Sequence, residues 1–475
     1  MKGRPRLLGL PLAAAALLFP EPAAAHGLQI RADLPVPKWL FGWAAAMVLI
    51  ASFVALVVLW PKPKLEGGDW RPLPGGLGRA LGSRPLEVTC GAAGVFLLAV
   101  VLWSGFAGSQ TAFENLAPTF IYVLFWLGLV PVSVLFGDVF RAFNPWLALG
   151  RASSWAARHL SGDALPAPFA YPQWLGRWPA AAGLLAFAWL ELVSRGSTTP
   201  RNLAAATLLY TALTALGMLL YGVEPWIERA EAFSVYFNLF SRMAPFERRG
   251  SEIGFRRPLS GLASLRPLPG TAVVVTVMIA TVTYDGASEG PVWQTVRGEL
   301  ASAFVSLGLG SEGAGELTGS VGILCALFLI GGFYRLGLVG ARRMGGGHNP
   351  GLPAAFAHSL VPIALAYVAA HYFTLLLYQG QAVGYLSSDP LGRDWDLFGT
   401  ADLGLDLSLI GSDTTWYLQV AFVVAGHVAA LALAHDRALV LYERAHVAAR
   451  SQYWMLAVMI GFTSLALWLL SEANA

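Results

Sequence analysis

Long apolar runs alternate with shorter polar segments along almost the whole chain. Most runs approach the ~20 residues that an α-helix needs to cross the ~30 Å hydrocarbon core of a bilayer. Within that core each backbone N–H and C=O must be paired, so runs of this length are expected to be helices. The pattern predicts ten spans, at residues 40–60, 86–103, 118–136, 179–193, 203–221, 271–284, 321–338, 353–378, 416–434 and 454–470.

A shorter apolar run precedes the first predicted span. Three basic residues come before an apolar core at residues 7–18, and alanines at positions 23–25 precede His26. This core is too short to cross a bilayer, whereas the basic start and the small residues are typical of a secretory signal peptide. The sequence therefore predicts a signal peptide at residues 1–25 and a single integral membrane domain at residues 26–475, which begins with His26 outside the cytoplasm.

The charges of the predicted loops indicate the orientation. When the mature N-terminus is placed outside, the five inner loops carry most of the loop arginines and lysines, among them Arg141, Arg151 and Arg158. The outer segments hold only Arg31, Lys38, Arg195, Arg201, Arg297 and Arg393. Basic residues concentrate in the cytoplasmic loops of membrane proteins. The bias therefore predicts a multi-pass protein of the plasma membrane with both termini outside the cytoplasm.

Composition agrees with this assignment and excludes several classes. Hydrophobic residues make up 56% of the chain and charged residues 12%, about half the charged fraction of a soluble domain. The net charge of +3 is spread over the loops, so no nucleic-acid partner is expected. Cys90 and Cys325 both lie in apolar segments, which excludes a disulfide framework and a cysteine-based zinc site. The predicted fold is an all-α polytopic transmembrane helical bundle whose first partner is the lipid bilayer.

Two kinds of connection are long enough to form structure of their own. The inner connection at residues 222–270 mixes aromatic and charged residues, which predicts either an amphipathic helix on the inner leaflet or an extension of the fifth span. The outer connections at residues 285–318 and 379–415 are mostly acidic. Within the first of them, residues 292–309 are apolar enough to return into the membrane.

Ionisable groups at membrane depth are costly, at about 2.5–3.5 kcal/mol for a charged residue near a helix centre, and they often mark function. The predicted inner layer contains Asp138, His358, His427, His435 and Asp436. Imidazoles in such an arrangement can bind a metal or relay protons. The simpler interpretation is a buried histidine that hydrogen-bonds a neighbouring helix or, for His435 and Asp436, a solvated loop.

A second layer of ionisable groups is predicted near the outer face. It contains Glu191, Asp285, His371, Asp413 and the new N-terminal His26. Such groups could together hold a divalent metal, Zn or Cu, that activates water, although no metal-binding spacing motif is present. The amine and ring of a terminal histidine can also chelate copper. The alternatives are helix capping or a wet loop for Asp285 and Asp413, and a permissive cleavage site for His26.

Several local stretches are distinctive. They are the mature start His26-Gly-Leu, the segment Asp33-Leu-Pro-Val-Pro-Lys-Trp-Leu-Phe with the helix that ends on Leu59-Trp60-Pro, the turn Asn144-Pro-Trp, and His371-Tyr-Phe. These stretches resemble those of the actinobacterial integral membrane proteins known as fenitrothion hydrolases. The resemblance covers most of the chain. The resemblance implies cleavage of an aryl phosphotriester or thiophosphotriester. It assigns no catalytic residue.

Three classes of function remain open at this stage. The first is a metal-assisted hydrolase of lipophilic phosphotriesters, with Glu191 and Asp285 as catalytic groups and His371, His427 and His358 as candidate metal ligands. The second is a membrane transporter, or a copper- or other metal-handling protein, that uses the intramembrane histidines. The third is a membrane scaffold or assembly factor. The expected ligand is accordingly a small lipophilic substrate or a metal ion.

Overall fold

The computed structural model describes residues 38–67, 70–161, 167–345, 351–442 and 444–473; the predicted signal peptide and His26 lie outside these ranges. The chain is mostly helical, and each of the ten predicted spans coincides with a helix. The longer helices are α1 (Lys38–Leu59), α2 (Arg84–Ala107), α3 (Leu116–Phe136), α4 (Pro145–Ser161), α5 (Trp178–Leu192), α6 (Pro200–Tyr221), α7 (Val223–Arg229), α8 (Ala232–Ser241), α9 (Thr271–Ser288), α10 (Pro291–Ser306), α11 (Ser311–Gly345), α12 (Leu352–Ser388), α13 (Ser412–Leu441) and α14 (Ala445–Ala473).

Eight of these helices are long and apolar enough to cross a membrane, namely α1, α2, α3, α6, α9, α11, α12 and α13. The chain is therefore an integral membrane protein, as its apolar runs predict. Helix α5 is shorter, at 15 residues. In the most apolar window of α9, 72% of the residues are buried inside the protein, compared with 17% in α1 and α2. Helix α9 thus occupies the centre of the bundle, whereas α1 and α2 lie at its periphery.

Two helices that pack against this centre are irregular. Residues Phe120–Gly128 of α3 form a π-helix. Helix α12 contains 3-10 turns at Ala357–Leu360 and Gly380–Ala382. π-Helical segments are rare and occur frequently at functional sites, because the wider turn re-aims side chains. Both α3 and α12 therefore depart from regular α-helical geometry, and the π-helical segment of α3 packs against α12.

A helical hairpin formed by α7 and α8 returns into the bundle after α6. Trp226 of α7 packs closely against Gly217 of α6, and its ring stacks on that of Tyr221 at 5.9 Å. The turn between α7 and α8 reaches the hydroxyl of Tyr210, in the middle of α6. Almost every side chain of α8 is buried. The prediction for residues 222–270, an amphipathic helix on the leaflet or an extension of α6, is therefore wrong.

Aromatic packing explains why this hairpin lies inside the protein. The ring of Phe233 on α8 lies 4.8 Å from that of Phe125 in the π-helical segment, edge to face. The rings of Phe237 and Phe140 are 4.9 Å apart, and Phe187 of α5 lies 5.2 Å from Phe233. Large edge-to-face clusters of this kind bury much apolar area and add pairwise attraction. Because α8 carries aromatic residues on several faces, it is stable only when it is surrounded.

The connections at the two ends are ordered by a small sheet and by hydrogen bonds. At one end β1 (Arg71–Pro72), β2 (Phe246–Arg249) and β3 (Glu252–Phe255) form an antiparallel sheet in the order β1-β3-β2. At the other end, Arg393 in the segment that follows α12 donates a hydrogen bond to the carbonyl of Ala107, at the end of α2. Most of residues 292–309 form α10, whose side chains are largely exposed and which packs against α11.

Candidate functional site

Asp285, near the C-terminal end of α9, and His371 of α12 meet inside the bundle. The Nε2 atom of His371 lies 2.9 Å from Oδ2 of Asp285, and the hydroxyl of Tyr372 donates to the same oxygen at 2.7 Å. The Asp285 side chain is only 4% exposed and that of His371 17%. The imidazole packs over Gly286, where a Cβ would lie 3.5 Å from the ring, in ordinary van der Waals contact. Asp285 therefore lies in the protein interior, rather than in a helix cap or a wet loop.

Glu191 joins this pair from the end of α5. Its carboxyl group lies close enough to Asp285, Tyr236 and Tyr372 to interact with each of them electrostatically. Its Oε2 atom is buried and has no hydrogen-bond partner among the residues that the structure describes. A buried polar atom without a partner costs free energy, so such an atom in a native protein often has a functional explanation. We call Glu191, Asp285 and His371 the acid–histidine cluster.

Aromatic side chains enclose the acid–histidine cluster. The ring of Trp126, from the π-helical segment of α3, lies 5.0 Å from that of Tyr372 and 5.4 Å from that of Phe187. These rings exclude water from one side of the cluster, and electrostatic interactions strengthen when water is excluded. The arrangement can hold and pass protons, because a histidine and two carboxyl groups lie within one enclosed volume.

The two inner histidines predicted as metal ligands do not belong to this cluster. His427 of α13 donates from Nδ1 to the carbonyl of Val423 at 2.7 Å, and its Nε2 has no hydrogen-bond partner among the described residues. The His358 ring hydrogen-bonds backbone groups of Ala355 and Leu433. Leu433 follows His427 by six residues on α13, a rise of about 9 Å. His358 and His427 thus lie on adjacent helices, and each ring is hydrogen-bonded to backbone groups near it.

His435 and Asp436 are buried, so their interpretation as part of a solvated loop is wrong. Asp436 accepts hydrogen bonds from the indole of Trp60 at 2.9 Å and from the backbone N–H of Lys64 at 2.6 Å. His435 contacts the carbonyl of Trp60 through Nε2 at 3.1 Å. The two residues hold the chain that leaves α1 against α13. Helix α13 continues to Leu441, beyond the predicted end of its span at residue 434.

Asp138 also has a structural position. Its Oδ1 accepts a hydrogen bond from the backbone N–H of Arg141, and it caps the short helix Val139–Phe143. Its Oδ2 accepts a hydrogen bond from Asn238 of α8 at 2.8 Å. Asp138 therefore links the end of α3 to the α7–α8 hairpin.

A further buried carboxyl group, that of Glu231, is not identified by the sequence analysis. It lies at the tip of the α7–α8 hairpin and accepts hydrogen bonds from the backbone N–H groups of Phe233 and Ser234 at 2.9 and 2.7 Å. It also accepts from the hydroxyl of Tyr210 and, at 3.4 Å, from Asn144. The available signals were the capping position before α8 and the Asn144-Pro-Trp turn. Neither signal shows that the tip of the hairpin and the Asn144-Pro-Trp turn lie in contact.

No group of three or more histidine, cysteine or acidic side chains within the described ranges is arranged to hold a metal ion. The acid–histidine cluster does bring His371, Asp285 and Glu191 into one region. There His371 and Asp285 form a hydrogen-bonded pair, and the carboxyl group of Glu191 is their neighbour. The predicted copper ligand His26 lies outside the described residues. The roles predicted for His371, His427 and His358 as ligands of Zn or Cu stay predictions.

Comparisons of the chain with protein-family models, with characterised proteins and with solved structures find no match. The resemblance to fenitrothion hydrolases consequently stays an expectation drawn from the sequence. The function is therefore inferred from the site itself, in which two carboxyl groups and an imidazole lie together inside a bundle of membrane helices.

Proposed function

We propose that this protein is a proton-coupled transporter of cations and that the acid–histidine cluster carries the protons. The observation that supports the proposal is that the buried carboxyl group of Asp285 and the buried Oε2 atom of Glu191 lie beside the partly buried imidazole of His371 inside the bundle. Ionisable groups within membrane helices typically line ion pathways or form proton relays. Two like charges repel each other strongly where water is excluded, so binding a proton and binding a cation are alternative ways to neutralise the pair.

The irregular helices around the cluster fit such a role. Transporters commonly place their sites beside interrupted helices, whose parts can shift relative to each other. Here the π-helical segment Phe120–Gly128 contributes Trp126 to the wall of the cluster, and α12 contributes His371 between its two 3-10 turns. The acidic connection at residues 379–415 would raise the local concentration of cations at the outer face.

We also propose that the mature chain crosses the plasma membrane ten times, with both termini outside the cytoplasm, because this orientation places most basic loop residues inside. We expect a cysteine at Asp402 to react with a membrane-impermeant maleimide in intact cells, and a cysteine at Arg257 to react only after lysis. The background would carry Cys90→Ala and Cys325→Ala. Labelling of position 257 in intact cells would contradict the orientation.

Proton flux in proteoliposomes tests the transport proposal. Vesicles that contain a pH-sensitive dye and the purified protein would be given a pH gradient and then, in turn, Na⁺, K⁺, Mn²⁺, Zn²⁺ or a small organic cation. We expect at least one cation to drive dye-reported proton movement in the opposite direction. The response should be strongly reduced by Glu191→Gln and unchanged by Asp413→Asn, which removes an exposed carboxylate at the start of α13. Equal effects of the two variants would contradict the proposal.

A hydrolase is the second candidate, and the 2.9 Å contact between His371 and Asp285 favours it. A carboxylate that orients an imidazole can make it a general base that removes a proton from water. On this hypothesis the purified protein hydrolyses a lipophilic aryl thiophosphotriester such as fenitrothion, and His371→Gln abolishes the turnover. Sensitivity to a chelator would indicate metal-assisted hydrolysis. Absence of turnover in the wild-type protein would contradict this candidate.

A further inference from the structure

Two helices begin side by side at the end of the bundle that the basic loops place in the cytoplasm. Helix α5 starts at Trp178 and α9 at Thr271, and neither N-terminus is capped by a side chain. They approach each other at Gly270, where φ is +79° and a Cβ atom would lie 2.8 Å from the backbone N of Trp178. The N-terminus of a helix carries about half a positive charge, so two adjacent N-termini attract an anion.

A buried arginine lies between these two N-termini. Arg177 is only 5% exposed, and its Nη1 donates to the hydroxyl of Thr271 at 3.3 Å, which directs the guanidinium towards the start of α9. Its Nε is buried without a hydrogen-bond partner among the described residues. No carboxylate of the described residues forms an ion pair with Arg177. An unpaired buried charge is strongly unfavourable unless something compensates for it.

A second arginine increases the positive charge. Arg242 interacts electrostatically with Arg177, and burial together with this repulsion lowers the pKa of Arg177 to about 10. Arg242 donates to the side-chain oxygen of Asn238 and to the carbonyl of Gly261, and Asp138 is the carboxylate with the largest effect on it. The carboxylates Glu247 and Glu228 act on Arg242 more weakly. These carboxylates act on Arg242, whereas the charged group that acts on Arg177 itself is Arg242, so Arg177 has a positive and not a negative charge as its neighbour.

We propose that Arg177, Arg242 and the N-termini of α5 and α9 form a binding site for a phosphate group. A guanidinium binds phosphate through planar, charge-assisted hydrogen bonds, and helix N-termini add a favourable dipole. The first N–H groups of the two helices, those of Trp178 and Thr271, donate to the carbonyls of Leu175 and Leu268, so the dipole rather than these two groups is their contribution. Two sources carry this chemistry at the cytoplasmic face: the headgroup of an anionic phospholipid of the inner leaflet and free phosphate or a small phosphorylated solute. The site is separate from the acid–histidine cluster and does not depend on the proposed transport.

Two binding measurements on the delipidated full-length protein distinguish the sources. In the first, inorganic phosphate is titrated while thermal unfolding is followed in detergent. In the second, the protein is placed in nanodiscs of phosphatidylcholine with or without phosphatidylglycerol, and retained lipid is identified by native mass spectrometry. We expect stabilisation or retention in at least one of them. Arg177→Gln should weaken that response at least about tenfold, as expected when a charged phosphate contact is lost.

Arg158→Gln is the matched control, because it removes an exposed positive charge from the preceding inner connection. It should leave both responses unchanged. Without any ligand, Arg177→Gln should unfold at a temperature no lower than the wild-type protein, because the lost charge has no carboxylate partner. If Arg177→Gln fails to fold, Arg177→Lys decides: a several-fold weaker response supports the site and an unchanged one overturns it. No response to phosphate or phosphatidylglycerol in the wild-type protein, or equal losses in Arg177→Gln and Arg158→Gln, would also overturn it.

Discussion

Asp285→Asn is expected to reduce cation-driven proton flux by about a hundredfold, to the level of protein-free vesicles, which is the size of loss typical when a proton-transferring group is removed. The asparagine has the same shape and its side-chain oxygen can still accept the hydrogen bond of Tyr372, which Asp285 receives at 2.7 Å. It cannot exchange a proton. The protein should therefore fold and elute from a sizing column as the wild-type protein does, while the flux is lost.

The pair His371 and Asp285 gives this prediction an internal control. His371→Gln keeps a hydrogen-bond donor near Oδ2 of Asp285 but removes the imidazole. If the two groups share one proton pathway, each single variant and the double variant should reach the same low flux, because residues that act as a unit have non-additive effects. An Asp285→Asn protein that transports at the wild-type rate would show that the cluster is structural.

Glu231→Ala is expected to be among the most destabilising substitutions, at about 3 kcal/mol or more, because several buried donors would lose their acceptor. The backbone N–H groups of Phe233 and Ser234, the hydroxyl of Tyr210 and the amide of Asn144 all donate to this carboxyl group. The expected result is a lower unfolding temperature in detergent and poor recovery of the protein from membranes.

Glu231→Gln is the matched substitution for this test. Its side-chain oxygen can still cap α8 through the backbone N–H of Phe233 or Ser234, so the loss of stability should be much smaller than with alanine. Similar unfolding temperatures for the alanine variant and the wild-type protein would contradict the account of the hairpin. They would indicate that aromatic packing around Phe233 and Phe237, rather than the polar tip, holds the α7–α8 hairpin in place.

The membrane helices could be predicted from sequence because their signal is local. A helix in a bilayer satisfies its own backbone, so an apolar run such as residues 203–221 is sufficient to identify α6. The α7–α8 hairpin could not be predicted in the same way. Its position depends on contacts between Phe233, Phe125 and Phe187, which lie far apart in the chain and leave no periodic pattern.

The candidate site can be predicted from the sequence only in part. Ordering ionisable residues by depth placed Glu191, Asp285 and His371 in one outer layer, and the structure brings these three groups together. Their chemical roles stay predictions. The same ordering predicts a solvated loop for Asp436 and is wrong. The depth of a residue in the membrane does not reveal that the segment after α1, which begins at Trp60, packs against Asp436. Helix packing, which decides such contacts, is not encoded in hydropathy.

Proton release on cation binding is the most direct test of the proposal that the acid–histidine cluster exchanges protons for cations. Purified protein in weakly buffered detergent solution would be mixed with each cation of the proteoliposome series while a pH indicator is monitored. The account predicts the release of about one proton per chain with the transported cation. It predicts no release from Asp285→Asn. Cation binding without proton release, or equal release from the wild-type and Asp285→Asn proteins, would contradict it.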